Sequence, residues 1–128
     1  MKVKSFTFNP FQENTYIIYD KTKECIIVDP GCYTEKEQAT LKQFIITENL
    51  NPVKLINTHC HIDHILGNKF INDYWGIELQ IHKLDLPLLE NSSNISKMYG
   101  FENYKESPYP NQFLNEGEKI NFGENSFE

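Results

Sequence analysis

The stretch 57-NTHCHIDHILGN-68 holds three of the four histidines of the chain. His59, His61, Asp63 and His64 fall within six consecutive residues. Imidazole nitrogens and carboxylate oxygens are ligands for zinc and, nearly as well, for iron or manganese. His59 and His61 are two apart, so in an extended segment both side chains point the same way and can share one ion. Asp63 and His64 sit where the chain turns into a helix and point elsewhere, toward a second ion. Two metals ~3.5–4 Å apart can share a bridging hydroxide, the nucleophile of two-metal hydrolysis. A second reading of Asp63 and His64 stays open: the pair can cap the N-terminus of the helix that follows.

Reading outward, Val53–Ile56 ("VKLI") is a strand that runs straight into the histidines. A helix is expected from about Asp63 to Tyr74, with Leu66, Phe70 and Tyr74 on one face and Gly76 as its stop. Upstream, Thr34 is a good N-cap, and Glu37 three residues later completes a capping box. Leu41, Phe44 and Ile45 form the apolar stripe of that earlier helix. Before it, "CIIV" (25–28) is an unbroken apolar run, read as a strand buried on both faces. "DPG" (29–31) stops it. Strand, helix and strand make a βαβ unit with parallel strands. The histidines therefore lie at the carboxyl end of a parallel strand, where open α/β sheets place their ligands.

Val3–Phe8 and Thr15–Tyr19 read as two further strands of a meander ending in "CIIV". Downstream, Glu78–Ile81 is a short strand and Leu84–Glu90 a short helix. Lys119–Phe122 is one more strand. The segment from Asn91 to Gln112 is long, irregular and rich in aromatics. It is either a lid or a loop pinned to the body by Phe101, Tyr104 and their neighbours. His82, in "IHKLD", reads as a capping or surface histidine.

The 128 residues suit one domain, 1–128, with a single core. Apolar types make up 39% and aromatics 13%, enough to build that core. The formal charge of −6 and the lack of a Lys/Arg cluster argue against nucleic acid as a partner. Cys25, Cys32 and Cys60 are an odd, widely spaced set, read as reduced thiols rather than a disulfide framework. Cys60 lies between two histidines, and alternation points it away from them into the interior. The first residues contain no unbroken apolar segment, and nothing approaches the ~20 apolar residues of a membrane span. A soluble cytoplasmic protein is expected.

"THCHIDH" followed by Gly67 resembles the H-x-H-x-D-H signature of the metallo-β-lactamase superfamily. "PFQENTYIIYD" followed by "CIIVDPG" is most similar to its glyoxalase-II-like hydrolases. The resemblance implies an α/β fold, the αββα sandwich, of which this chain is about one half. It implies two zinc sites, with iron or manganese as alternatives. By it, His59 and His61 hold the first metal and Asp63 and His64 the second, with Asp63 also in the catalytic position. Asp29 is implied to stand behind the ligands and fix their orientation; its other reading is a turn-former beside Pro30. The implied reaction is hydrolysis of a small thioester or related acyl substrate by metal-bound hydroxide. Two alternatives are an iron-dependent persulfide dioxygenase and a non-catalytic binding or scaffold module.

The resemblance also implies later ligands that this chain lacks: a third histidine for the first metal, a bridging aspartate and a final histidine. The chain is therefore expected to be C-terminally incomplete, with its metal centre partial or absent. Each half-site keeps two protein ligands where catalytic zinc usually has three. The isolated chain is expected to bind zinc weakly and to hydrolyse little. One half of a two-halved sandwich also leaves an apolar sheet face bare, so a homo-oligomer is expected.

Overall fold

In the computed structural model, which describes residues 1–127, the strand–helix–strand unit expected around "DPG" is the centre of a larger sheet. Strands β1 (Lys2–Phe8), β2 (Glu13–Tyr19), β3 (Glu24–Val28), β4 (Asn51–Ile56), β5 (Leu79–His82) and β6 (Gln112–Leu114) lie side by side in chain order. The first three form the antiparallel meander. From β3 onward every pairing is parallel. A parallel neighbour cannot be reached by a tight turn, so each step needs a crossover. Helix α1 (Glu35–Thr47) makes the first. The pair α2 (Ile62–Ile65) and α3 (Asn68–Trp75) makes the second. A 3-10 turn (Lys83–Asp85), α4 (Leu86–Glu90) and α5 (Ser92–Met98) make the third.

All three crossovers cover the same face. Leu41 of α1, Ile71 of α3 and Leu89 of α4 pack into one core with Ile17, Ile27, Leu55, Leu79 and Ile81 of the sheet. That agrees with crossovers of one hand stepping in one direction across a sheet. Helix α1 begins as expected. The Thr34 hydroxyl accepts from the Glu37 backbone N–H at 3.1 Å, and the Glu37 carboxylate accepts from the Thr34 N–H at 3.2 Å. The same carboxylate also accepts from the backbone N–H groups of Tyr33 and Asn9, at 2.9 and 2.6 Å. One cap residue thus ties the β1–β2 loop to the start of the helix.

Three expectations need correction. The helix foreseen over Asp63–Tyr74 is two helices, broken at Leu66–Gly67. The Gly67 N–H donates to the Pro30 carbonyl at 2.7 Å instead of into the helix. The break resets the helical phase, so Ile71 and Asn68 face the core while Tyr74 stays exposed. The segment 91–112 is less irregular than foreseen, since α5 occupies Ser92–Met98. Phe101 and Tyr104 pack into the body; Tyr99 is exposed but meets the Phe11 ring edge-on at 5.4 Å, and Met98 and Tyr109 are exposed. Finally, the strand foreseen at Lys119–Phe122 is present, but outside the main sheet, where it covers part of the face expected to be bare. As β7 (Ile120–Phe122) it pairs with β8 (Asn125–Phe127) in a hairpin. Phe122 covers Ile26, Val28 and Ile56, so the middle of the face expected to be bare is buried.

The hairpin is held by Asp20, at the β2–β3 turn. Its carboxylate accepts from the Glu124 N–H at 2.9 Å, the Asn125 side-chain amide at 2.7 Å and the Thr22 N–H at 2.9 Å, and also from the Thr22 hydroxyl. The hydroxyl contact, then the amides, hold the carboxyl well below the ordinary aspartate value of 3.8. Among the described residues, no helix is long and apolar enough to cross a membrane.

Two outcomes follow from the packing. Leu41 is fully buried between α1 and the sheet, so Leu41→Ala should lower the unfolding free energy by about 2–5 kcal/mol in urea titrations. A carboxyl depressed on folding stabilises above its unfolded value and loses that contribution as the pH falls through the folded one. Amide exchange of residues 123–127 should therefore accelerate ahead of the core only below about pH 4. Asp20→Ala should produce the same acceleration at neutral pH.

Candidate metal centre

β3 and β4 end level with each other, Val28 opposite Ile56. The residues just past both strands are therefore neighbours. Asp29 continues the ladder by donating its N–H to the Ile56 carbonyl at 2.9 Å. Its φ is +52°, a left-handed conformation that a residue with a Cβ adopts only when its surroundings hold it there. One carboxylate oxygen accepts from the Thr58 N–H at 2.7 Å, and the other from the Thr58 hydroxyl at 2.5 Å. The latter oxygen also faces His64 Nδ1 at 3.2 Å. Asp29 is thus more than a turn-former: it joins the ends of two strands and faces His64 of the second ligand pair.

The short helix α2 brings His64 back over the strand ends. His61 is its N-cap residue and makes no side-chain cap bond. The first turn is therefore not capped by Asp63 or His64, whose side chains are free for the site. Asn9 in the β1–β2 loop donates to the Asp63 and Gly31 carbonyls at 2.9 and 3.0 Å and holds the turn from outside. The imidazoles gather around His59: its ring centroid is 3.9 Å from that of His64 and 4.7 Å from that of His61. Asp63 places an oxygen 3.4 Å from His64 Nε2. One ligand atom each from Asp29, His59 and His64 lie within 4.8 Å of one another. His61 and Asp63 flank that trio. Asp29, expected behind the ligands, stands level with two of them.

The electrostatics separate the two central imidazoles. Burial, then the neighbouring His64, lower the pKa of His59 and keep it neutral, the form that binds metals. The Thr58 hydroxyl lies 3.0 Å from His59 Nδ1, which leaves Nε2 open. For His64, burial pulls the pKa down, but the Asp29 carboxylate and the charges around it outweigh burial and raise it.

Glu13 was not foreseen. It opens β2 with its side chain on the helix-covered face, in line with buried Thr15 and Ile17. Thr15 donates to one of its oxygens at 2.9 Å. The other oxygen is buried without a hydrogen bond, 3.5 Å from His64 Nδ1. Burial pushes its pKa up to about 8. A charged residue at an inward position of an alternating strand was the available clue. His82 is a cap: its Nδ1 accepts from the Leu84 N–H at 3.1 Å. Cys60 is buried among apolar side chains, and burial raises its pKa to about 12, so it is no nucleophile.

Gly67 is where the α2–α3 break meets the strand ends. A Cβ there would stand 2.8 Å from the Pro30 carbonyl oxygen and closer still to Cys32 Sγ. Gly67→Ala should cost about 1–3 kcal/mol of stability in thermal melts, because the obstacle includes backbone.

Comparison with known proteins agrees with this geometry. Residues 8–126 match the family model of the metallo-beta-lactamase superfamily. Hydroxyacylglutathione hydrolase GloC of Haemophilus influenzae is 28% identical over 130 residues, covering 100% of this chain and 59% of that protein. Among solved structures, BLEG-1 B3 metallo-beta-lactamase superposes with a TM-score of 0.83 at 25% identity, covering 98% of this chain and 59% of the other. TTHA1623, in a di-iron-bound form, superposes at 0.78 with 28% identity, covering 91% and 56%. The chain spans about half the length of the curated relatives it matches, 42% and 59% for two of them. A level pair of parallel strands that feeds a histidine-rich turn, matched from residue 8 to 126, places the chain in the metallo-beta-lactamase superfamily.

Proposed function

We propose that this chain carries the metal-binding part of a hydrolase that acts on small thioesters or related acyl compounds. The observation that carries the reading is the convergence of Asp29, His59 and His64 donor atoms within 4.8 Å at the ends of β3 and β4. His61 and Asp63 lie beside them. The residues fit a divalent cation of the zinc or iron type. The set mixes imidazole and carboxylate donors, as such ions require. One Glu13 oxygen is also buried without a hydrogen bond, which costs ~1–3 kcal/mol unless something else satisfies the group.

In this reading His59 and His61 hold one ion and Asp63 and His64 a second, with Asp29 close enough to contribute. A bound ion supplies Lewis-acid polarisation of the acyl carbonyl and lowers the pKa of water. The chain's own residues do the positioning. Thr58 orients His59 through Nδ1, and Asp29 orients Thr58 and His64 together. The neutral state of His59 keeps its free nitrogen available. The thioester assignment draws on the glyoxalase-II-like sequence features and on GloC, whose name specifies a hydroxyacylglutathione substrate. The di-iron form of TTHA1623 keeps iron beside zinc as the resident metal.

Chelator-treated chain should take up zinc or iron(II), weakly, because each ion would have two of these side chains where catalytic zinc usually has three protein ligands. His59→Ala and His64→Ala should each weaken that uptake by about tenfold or more, since even residues behind a ligand are worth that much. Hydrolysis of a hydroxyacylglutathione thioester should be slow, vanish with chelator and return with metal. A chain that binds neither ion, or that turns over substrate regardless of chelator, sinks the proposal.

A further inference from the structure

The ligand-bearing stretch begins and ends on asparagine, and the two side chains meet. Asn57 and Asn68, eleven residues apart, are both fully buried. Asn68 Nδ2 donates to Asn57 Oδ1 at 2.8 Å, and Asn57 Nδ2 returns a bond to Asn68 Oδ1 at 3.1 Å. The paired amides close the His59–His64 turn at its base. Neither residue carries the main chain alone. The Asn57 N–H is on the Gln80 carbonyl at 3.2 Å, so the near end of the turn is fixed to β5. Asn57 Nδ2 also lies 3.5 Å from the His64 carbonyl, at the limit of a hydrogen bond.

The clasp does not stop there. Asn68 Nδ2 donates to Ser107 Oγ at 3.2 Å. That hydroxyl shares a 2.8 Å hydrogen bond with Tyr104 Oη, which also accepts from the Ser107 N–H at 3.1 Å and pairs with Ser92 Oγ at 3.0 Å. A continuous polar path therefore runs from the base of the histidine turn to the segment between α5 and β6. Two amides inside an apolar core are expensive unless fully paired. Had packing been the only need at these positions, two apolar side chains would have served.

We propose that Asn57 and Asn68 are positioning residues for the metal ligands, and that Ser107 and Tyr104 extend their hold to the 101–111 segment. The inference rests on the metal-centre reading above. It states that the affinity of the site is set partly by four side chains that touch neither the ion nor any ligand side chain. Cobalt(II) is a suitable probe, because its visible absorption reports ligand geometry.

The test titrates cobalt(II) into chelator-treated chain and, separately, melts the metal-free chain. Asn68→Asp keeps the size and removes the donor to Asn57 and Ser107. Ser107→Ala removes one hydroxyl at the half-buried end of the path, where folding is at less risk. Each should raise the cobalt dissociation constant by about tenfold and change the shape of the spectrum, a typical effect for residues behind a ligand. The metal-free melting point of Ser107→Ala should stay within about 5 °C of the parent, in keeping with the loss of two partly exposed hydrogen bonds, to Asn68 and Tyr104. Ser107→Thr should restore both affinity and spectrum. Unchanged cobalt binding and spectrum in Ser107→Ala and Asn68→Asp overturns the proposal and leaves the clasp as a tie between loops. A parent chain that binds no cobalt overturns the metal-centre reading, and this inference with it.

Discussion

The carboxylate of Asp29 is the joint on which the candidate centre depends. It accepts from the backbone and the hydroxyl of Thr58 and faces the imidazole of His64. Those contacts exist because β3 and β4 end at the same level and because the backbone at Asp29 is held at φ +52°. A left-handed aspartate is costly by itself. The parallel pairing beneath it and the Ile56 carbonyl that receives its N–H hold it in place. The chemistry of the site thus rests on a backbone geometry stabilised by the sheet, and the sheet rests on the core under α1.

Rigid elements approach this joint from three sides. The β1–β2 loop arrives through Asn9 and is tied to α1 by the capping carboxylate of Glu37. The α2–α3 break arrives through Gly67, close enough to Pro30 and Cys32 that a side chain has no room. The 101–111 segment arrives through Phe101, whose ring packs against Tyr33 and Phe11, and through the Asn103 N–H on the Tyr33 hydroxyl. Loops that carry ligands lose precision unless their supports are themselves fixed. Here the supports are a helix cap, a backbone hydrogen bond and an aromatic cluster.

The electrostatic pattern follows from that convergence. Three carboxyl groups, Glu13, Asp29 and Asp63, surround His64 within 3.5 Å. Glu13 is the most deeply placed and is pushed toward its neutral form by burial. Asp29 stays in hydrogen-bonding reach of a backbone amide and a hydroxyl. Carboxyl groups crowded around one imidazole are what a divalent cation needs, and they are unfavourable company for one another without one.

Much of this was legible along the chain. The meander, the βαβ unit, the capping box at Thr34 and Glu37, and the buried run "CIIV" all follow from local patterns of period 2 or 3.6 and from capping chemistry, which act between residues close in sequence. The motif at His59–His64 was readable for the same reason: its donors lie within six residues. What stayed hidden depends on distant partners. Glu13 reaches His64 only because the meander folds β2 beside the strand ends. The break at Gly67 needs the Pro30 carbonyl, thirty-seven residues upstream in the numbering. The hairpin on the second face needs Asp20, more than a hundred residues before the amides it receives. By itself the sequence determined which side chains could bind a metal and on which strand end they sit. Only the tertiary structure decided which of them meet, because side chains far apart in the chain come within reach only when the sheet has set their supports in register.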